Sequence, residues 1–187
     1  RPPEDMAAEV VQAARRGYRW IKYHVDEVQN VVDQAAAMQE VAPPDFKVHF
    51  DFNANLDFYT ICPILLELER FPVSGRFEDV IDPADEDGYR LLREKCRLPI
   101  ILHHGPPDFM IKGLVDGYMG GHAPLGTAMK LEAVASMTRT PIMLQQAGGT
   151  INQAFLAHEV AVFRRNTIDH VNLCHLWKED VTVANAG

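Results

Sequence analysis

The sequence is poor in three things, and each shortage excludes a class of protein. Cysteine is scarce: Cys62, Cys96 and Cys174 stand far apart in 187 residues, with no CxxC. An odd, scattered set excludes a disulfide framework and a zinc knuckle, and points to buried thiols in a reducing compartment. Positive charge is in deficit, with 18 Lys and Arg against 26 Asp and Glu and a net charge of −8. No basic surplus exists to neutralise phosphates, which argues against nucleic acid as the main partner. No apolar run reaches membrane-spanning length and no signal peptide opens the chain, so no membrane partner is expected and the cytoplasm is the expected location. Arg1-Pro2-Pro3 does not read as a natural start.

What remains is ordinary globular composition, 47% hydrophobic and 24% charged, in a chain of single-domain length. Its most informative stretch is Lys47-Val48-His49-Phe50-Asp51-Phe52-Asn53-Ala54-Asn55. In an extended segment Val48 and Phe50 fall on one side, His49 and Asp51 on the other. A carboxylate then stands at the strand's exit, where burial is costly unless its charge is used.

The rest alternates between strand and helix. Helices are expected over 3–16, from about 28 to 38, 56–70, 85–95, 125–138 and 150–165. Strands are expected over 18–25, 47–52, 76–81, 98–103, 115–119, 141–144 and 168–173. Asp26 with Gln29, and Thr150 with Gln153, have the spacing of capping boxes. Pro63 marks a late helix start or a kink in the third helix. Polar residues at successive strand ends fall at His24, Asp51, Glu78 and His103. The intervals, 51−24=27, 78−51=27 and 103−78=25, have the length of a βαβ unit. Seven mostly apolar strands alternating with helices imply an α/β fold with a parallel sheet covered by helices. A doubly wound sheet fits that count, and a closed eight-stranded barrel needs one strand more.

The strand ends collect Lys22, His24, Asp51, Asn53, Glu78, His103, His104, His122, Gln145, Gln146 and His175. Two carboxylates on adjacent strands, Asp51 and Glu78, suit a hard divalent cation such as magnesium. Lys22 and His24, one residue apart, share a face of their strand and are placed to move a proton. By the same alternation Asp79 points away from Glu78 and is not a ligand. His49, His158 and His170 read as structural.

These motifs resemble the barrel domain of the enolase superfamily, in particular the mandelate racemase and muconate lactonizing enzyme group. Ile21-Lys22-Tyr23-His24 resembles that family's Lys-x-Lys strand, and Phe50-Asp51-Phe52-Asn53 its Asp-x-Asn strand. Phe77-Glu78-Asp79 resembles its Glu strand, and Leu98-Pro99-Ile100 its Ile-Pro-Ile segment. The resemblance implies a (β/α)8-type TIM barrel over residues 1–187, incomplete in that the first strand and an N-terminal capping domain lie outside these residues. It implies Asp51 and Glu78 as magnesium ligands, with Lys22 and His24 on the two base positions. The family's third acidic ligand is matched here by His103-His104. His103 is therefore the expected third ligand, and a nitrogen donor admits a transition metal.

The activity implied is removal of the proton alpha to a carboxylate, in a small-molecule substrate, by a protein that associates as a homo-oligomer. His24 is the expected base and Lys22 adds positive charge beside it. His104 or His122 supplies an acid to a leaving hydroxyl, and Asn53 and Gln145 contact substrate. Gln145-Gln146 stands where the family's opposing His would be, which favours dehydration of a sugar acid over racemisation or epimerisation. Two other readings are open: a barrel that binds a ligand without turnover, and a zinc hydrolase, against which the lack of a His-x-His pair counts.

Overall fold

The structure, a computed structural model, describes residues 1–103, 105–121, 123–147 and 149–173; for Ala147 and 169–173 it describes the backbone only. The chain divides into two compact units, Arg1–Pro106 and Pro107–Gly187.

The first unit opens with helix α1, Pro3–Arg15. Pro3 at its first position, Glu4 and Asp5 in the first turn and Arg15 in the last suit the backbone's free amides and carbonyls there. Strands β1 (Trp20–His24), β2 (Lys47–Asp51), β3 (Ser74–Glu78) and β4 (Ile100–Leu102) follow, each pairing in parallel with the next. Between them run α2 (Val31–Val41), α3 (Phe58–Leu68) and α4 (Glu86–Lys95). The second unit carries α5 (Asp108–Lys112), β5 (Gly117–Gly120), α6 (Leu125–Thr138), β6 (Ile142–Ala147), α7 (Thr150–Phe163) and β7 (Thr167–Leu173). Its three strands are also parallel. Seven parallel strands alternating with helices match the α/β expectation.

Register explains how the core and the polar face separate. Tyr23, Phe50 and Phe77 are partners across β1, β2 and β3. Their rings stand 6.2 and 6.3 Å apart in edge and tilted contacts, and all three are buried. The Tyr23 hydroxyl donates to Gln34 Oε1 on α2 at 2.6 Å, so this aromatic row is the helix-facing side. Side chains one residue away must face the other side.

Several expected boundaries are corrected. Neither Asp26 nor Thr150 is a helix N-cap: a 3-10 turn at Val28–Asn30 with Glu27 before it precedes α2, and Thr150 already lies inside α7 behind Gly149. The side-chain caps are instead Asp57, accepting from Thr60 N, and Asp85, accepting from Gly88 N. Pro63 does not delay α3, which begins at Phe58 and runs through it. β3 begins at Ser74 and stops at Glu78, rather than running from Arg76 to Ile81, because Asp79 turns the backbone to φ +46°.

Candidate metal centre

Two rows of side chains cross the face opposite the aromatic row. Lys22, His49 and Arg76 are register partners, and two residues further along the strands so are His24, Asp51 and Glu78. The second row stands at the carboxyl ends of its strands. The chain leaves it by a tight turn in which Asn53 and Ala54 both take left-handed backbone, at φ 55° and 56°. Asp51 Oδ1 accepts from Asn53 N at 3.0 Å, a local bond that Asp makes readily at turns. Asn53 itself is exposed.

The two carboxylates are nearly sealed: the Asp51 side chain is 4% exposed and that of Glu78 0%. The Lys22 ammonium lies 3.0 Å from Asp51 Oδ2 and 2.8 Å from Glu78. His24 Nε2 is 3.2 Å from the same Asp51 oxygen, while its ring is half exposed. Two imidazoles also reach Glu78: His103 Nδ1 approaches Oε1 to 3.1 Å and His49 Nε2 approaches Oε2 to 2.6 Å. The His49 approach is off-line, an electrostatic contact rather than an aligned hydrogen bond. Burial works to raise the Glu78 pKa, but the His103 and His49 imidazoles and the Lys22 charge outweigh it and hold the carboxyl well below its ordinary range. Burial lowers the His49 pKa, so that ring stays neutral.

These residues fit a divalent cation. A cationic group already bridges the two carboxylates, and hard oxygens converge there with an imidazole nitrogen beside them. Glu78, Asp79 and His103 each offer a ligand atom, all within 4.8 Å of one another. Asp79, expected to point away from Glu78, has a carboxylate oxygen within that distance of it. Its backbone is left-handed, and its Oδ1 accepts from the His103 backbone N at 2.7 Å.

Of the residues expected from sequence, Lys22, His24, Asp51, Glu78 and His103 are brought together. Gln145 lies on β6 in the second unit, buried, with its main chain against Gly121. His104, His122 and His175 fall outside the described residues. His49, read as structural, touches Glu78, and Arg76 went unnoticed; Arg76 Nε donates to His49 Nδ1 at 2.9 Å. The available signal was position: each lies two residues before an acid and so on the acid's face.

Parallel β/α units with acids and bases gathered at the carboxyl ends of the strands are an α/β arrangement, and such strand ends are where sites form in folds of this kind. The family model described as enolase C-terminal domain-like matches residues 5–106, more than half the chain, and the chain belongs to that family. Solved structures share the fold at low identity. The L-Ala-D/L-Glu epimerase from Bacillus subtilis is 16% identical with a TM-score of 0.87, over 97% of this chain and 54% of its own. The dipeptide epimerase from Cytophaga hutchinsonii, complexed with Mg and the dipeptide D-Ala-L-Val, is 18% identical with a TM-score of 0.85, over 96% and 52%. A mandelate racemase/muconate lactonizing family protein from Azoarcus sp. EbN1 is 20% identical with a TM-score of 0.80, over 91% and 48%. The chain thus spans about half the length of these proteins. No curated protein sequence matches it.

Proposed function

We propose that this chain supplies the catalytic half of an enzyme that removes the proton alpha to a carboxylate in a small acid. The single observation that carries this reading is the convergence of Lys22 and His24 on Asp51, and of Lys22 and His103 on Glu78, at adjacent strand ends. Asp51 and Glu78 hold a divalent ion, with His103 beside them. By likeness to the Mg-bound dipeptide epimerase the ion is magnesium, and the His103 nitrogen admits manganese or another transition ion. When bound, the ion offsets the negative charge that develops on the substrate carboxylate as the proton leaves.

His24 takes the proton. Its Nε2 faces the site against Asp51 while half the ring reaches solvent, so the proton has a way out. Imidazole is the side chain most often used for general acid–base proton transfer. Lys22, buried between the carboxylates, adds fixed positive charge where an enediolate forms. Asn53 and Gln145 contact substrate, and His104 or His122 protonates a leaving hydroxyl. With Gln145-Gln146 in place of an opposing base, dehydration of a sugar acid is the favoured outcome; the two epimerase likenesses favour epimerisation as the second reading.

The test is deuterium exchange at the alpha carbon, followed by NMR in D2O with magnesium or manganese and a panel of sugar acids and dipeptides. Exchange precedes either outcome, and the product then separates them. His24→Asn should abolish exchange while leaving divalent-ion binding in place. Turnover that survives His24→Asn would remove His24 from the mechanism. A chain that binds a divalent ion yet exchanges no proton would be a ligand-binding barrel.

A further inference from the structure

Behind Glu78 lies a second polar layer that the proposed chemistry does not use. Arg76 is 6% exposed, and its Nε–H donates to His49 Nδ1 at 2.9 Å. A ring nitrogen that accepts a hydrogen bond carries no proton, so the neutral ring has its hydrogen on Nε2. That is the nitrogen facing Glu78 Oε2 at 2.6 Å. Arg76 is itself braced, with its guanidinium carbon 4.3 Å from the centre of the Trp20 ring. Gly75 makes room for this stack: a Cβ there would stand 2.4 Å from the indole. Trp20, Arg76, His49 and Glu78 form a continuous chain of contacts ending on a carboxylate.

We propose that Arg76 and His49 are positioning residues, which fix the orientation of the Glu78 carboxylate toward the divalent ion. The inference rests on the reading that Asp51 and Glu78 hold that ion. Carboxylate ligands are generally held by such outer partners, whose loss costs 10–100-fold in metal affinity. An arginine fixes the tautomer well because it cannot give up its own proton. The pair therefore keeps a proton, and never a bare lone pair, on the ring nitrogen beside the ligand oxygen.

Two measurements test this. The first is Mn2+ affinity, read from the EPR signal of the free ion, for the wild type, His49→Leu, His49→Gln and Arg76→Met. The account expects His49→Leu to bind roughly 10–100-fold more weakly. A Gln amide can accept from Arg76 and donate to Glu78, so His49→Gln should stay within about threefold of wild type. Wild-type affinity in a folded His49→Leu would overturn the inference, and if that variant does not fold, wild-type affinity in Arg76→Met would do so. The second is the His49 tautomer, read from long-range 1H–15N spectra of histidine-labelled protein without added metal. The Nε2–H form is expected, and Nδ1–H would overturn the proposal. If the wild type bound no Mn2+, the metal reading would fall and the tautomer would still judge the support.

Discussion

Glu78 keeps its charge in a place with no exposed side-chain surface because Lys22, His103 and His49 surround it. The direction of two pKa shifts makes the folded protein sensitive to acid. His49 is held below its ordinary value of 6.5 by burial, so below that pH the unfolded chain takes up a proton that the folded ring refuses. Glu78 is held below its ordinary 4.5 despite burial, so below pH 4.5 the unfolded chain again binds the extra proton. Both contributions are present at neutral pH and are lost as pH falls. Each is worth up to about 1.4 kcal/mol per pH unit within its window. Urea denaturation in EDTA at pH 7, 5.5, 4 and 3 should show stability falling from about 6.5 and more steeply below about 4.5. His49→Gln should flatten the upper part and Glu78→Gln the lower; unchanged slopes would contradict the assignments. Asp51 and Glu78 were legible in the sequence because a 27-residue interval links strand to strand. Lys22 and His24 followed from alternation on one face. His49 and Arg76 did not, because their partnership depends on the cross-strand register, and β2 pairs with β3 through a shift between Val48 and His49. The placement of Asp79 beside Glu78 and His103 does not follow from alternation, which ends where the backbone turns left-handed.

At the scale of elements, the aromatic row and the helix caps hold the strands that present the site. Phe50 packs between Tyr23 and Phe77 with no exposed surface. Phe50→Ala should cost about 3–5 kcal/mol in chemical denaturation. Asp85→Ala removes the side chain that accepts from Gly88 N at the start of α4 and should cost about 1 kcal/mol. In the second unit Gly121 has φ +108°, and a Cβ there would stand 1.9 Å from the Gln145 carbonyl oxygen. Gly121→Ala should therefore destabilise this unit by more than the roughly 1–3 kcal/mol of backbone strain alone, measured by thermal unfolding. Six of the helices were legible from end signals and, for α2, from apolar residues at helical spacing. α5 was missed because it has five residues in a stretch rich in Gly and Pro. The start of β3 was missed because Gly75 reads as a boundary, whereas it is the point where the Trp20 ring lies against the strand.

At the scale of the whole molecule, two near-fully buried carboxylates meet at adjacent strand ends, where the proposed divalent ion would bind. A divalent ion that binds the folded chain alone stabilises it by about 2.7 kcal/mol at a hundred times its dissociation constant. For a chain of this size that corresponds to a rise in Tm of about 5–10 °C, reversed by EDTA. Monovalent salt at matched ionic strength should not reproduce it. The most direct test of the central claim is the stoichiometry and affinity of Mn2+ on the wild type, Asp51→Asn and Glu78→Gln. The account predicts one ion per wild-type chain, and in both variants a loss beyond the 10–100-fold typical of outer partners. Wild-type affinity in either folded variant would show that these carboxylates do not hold the ion.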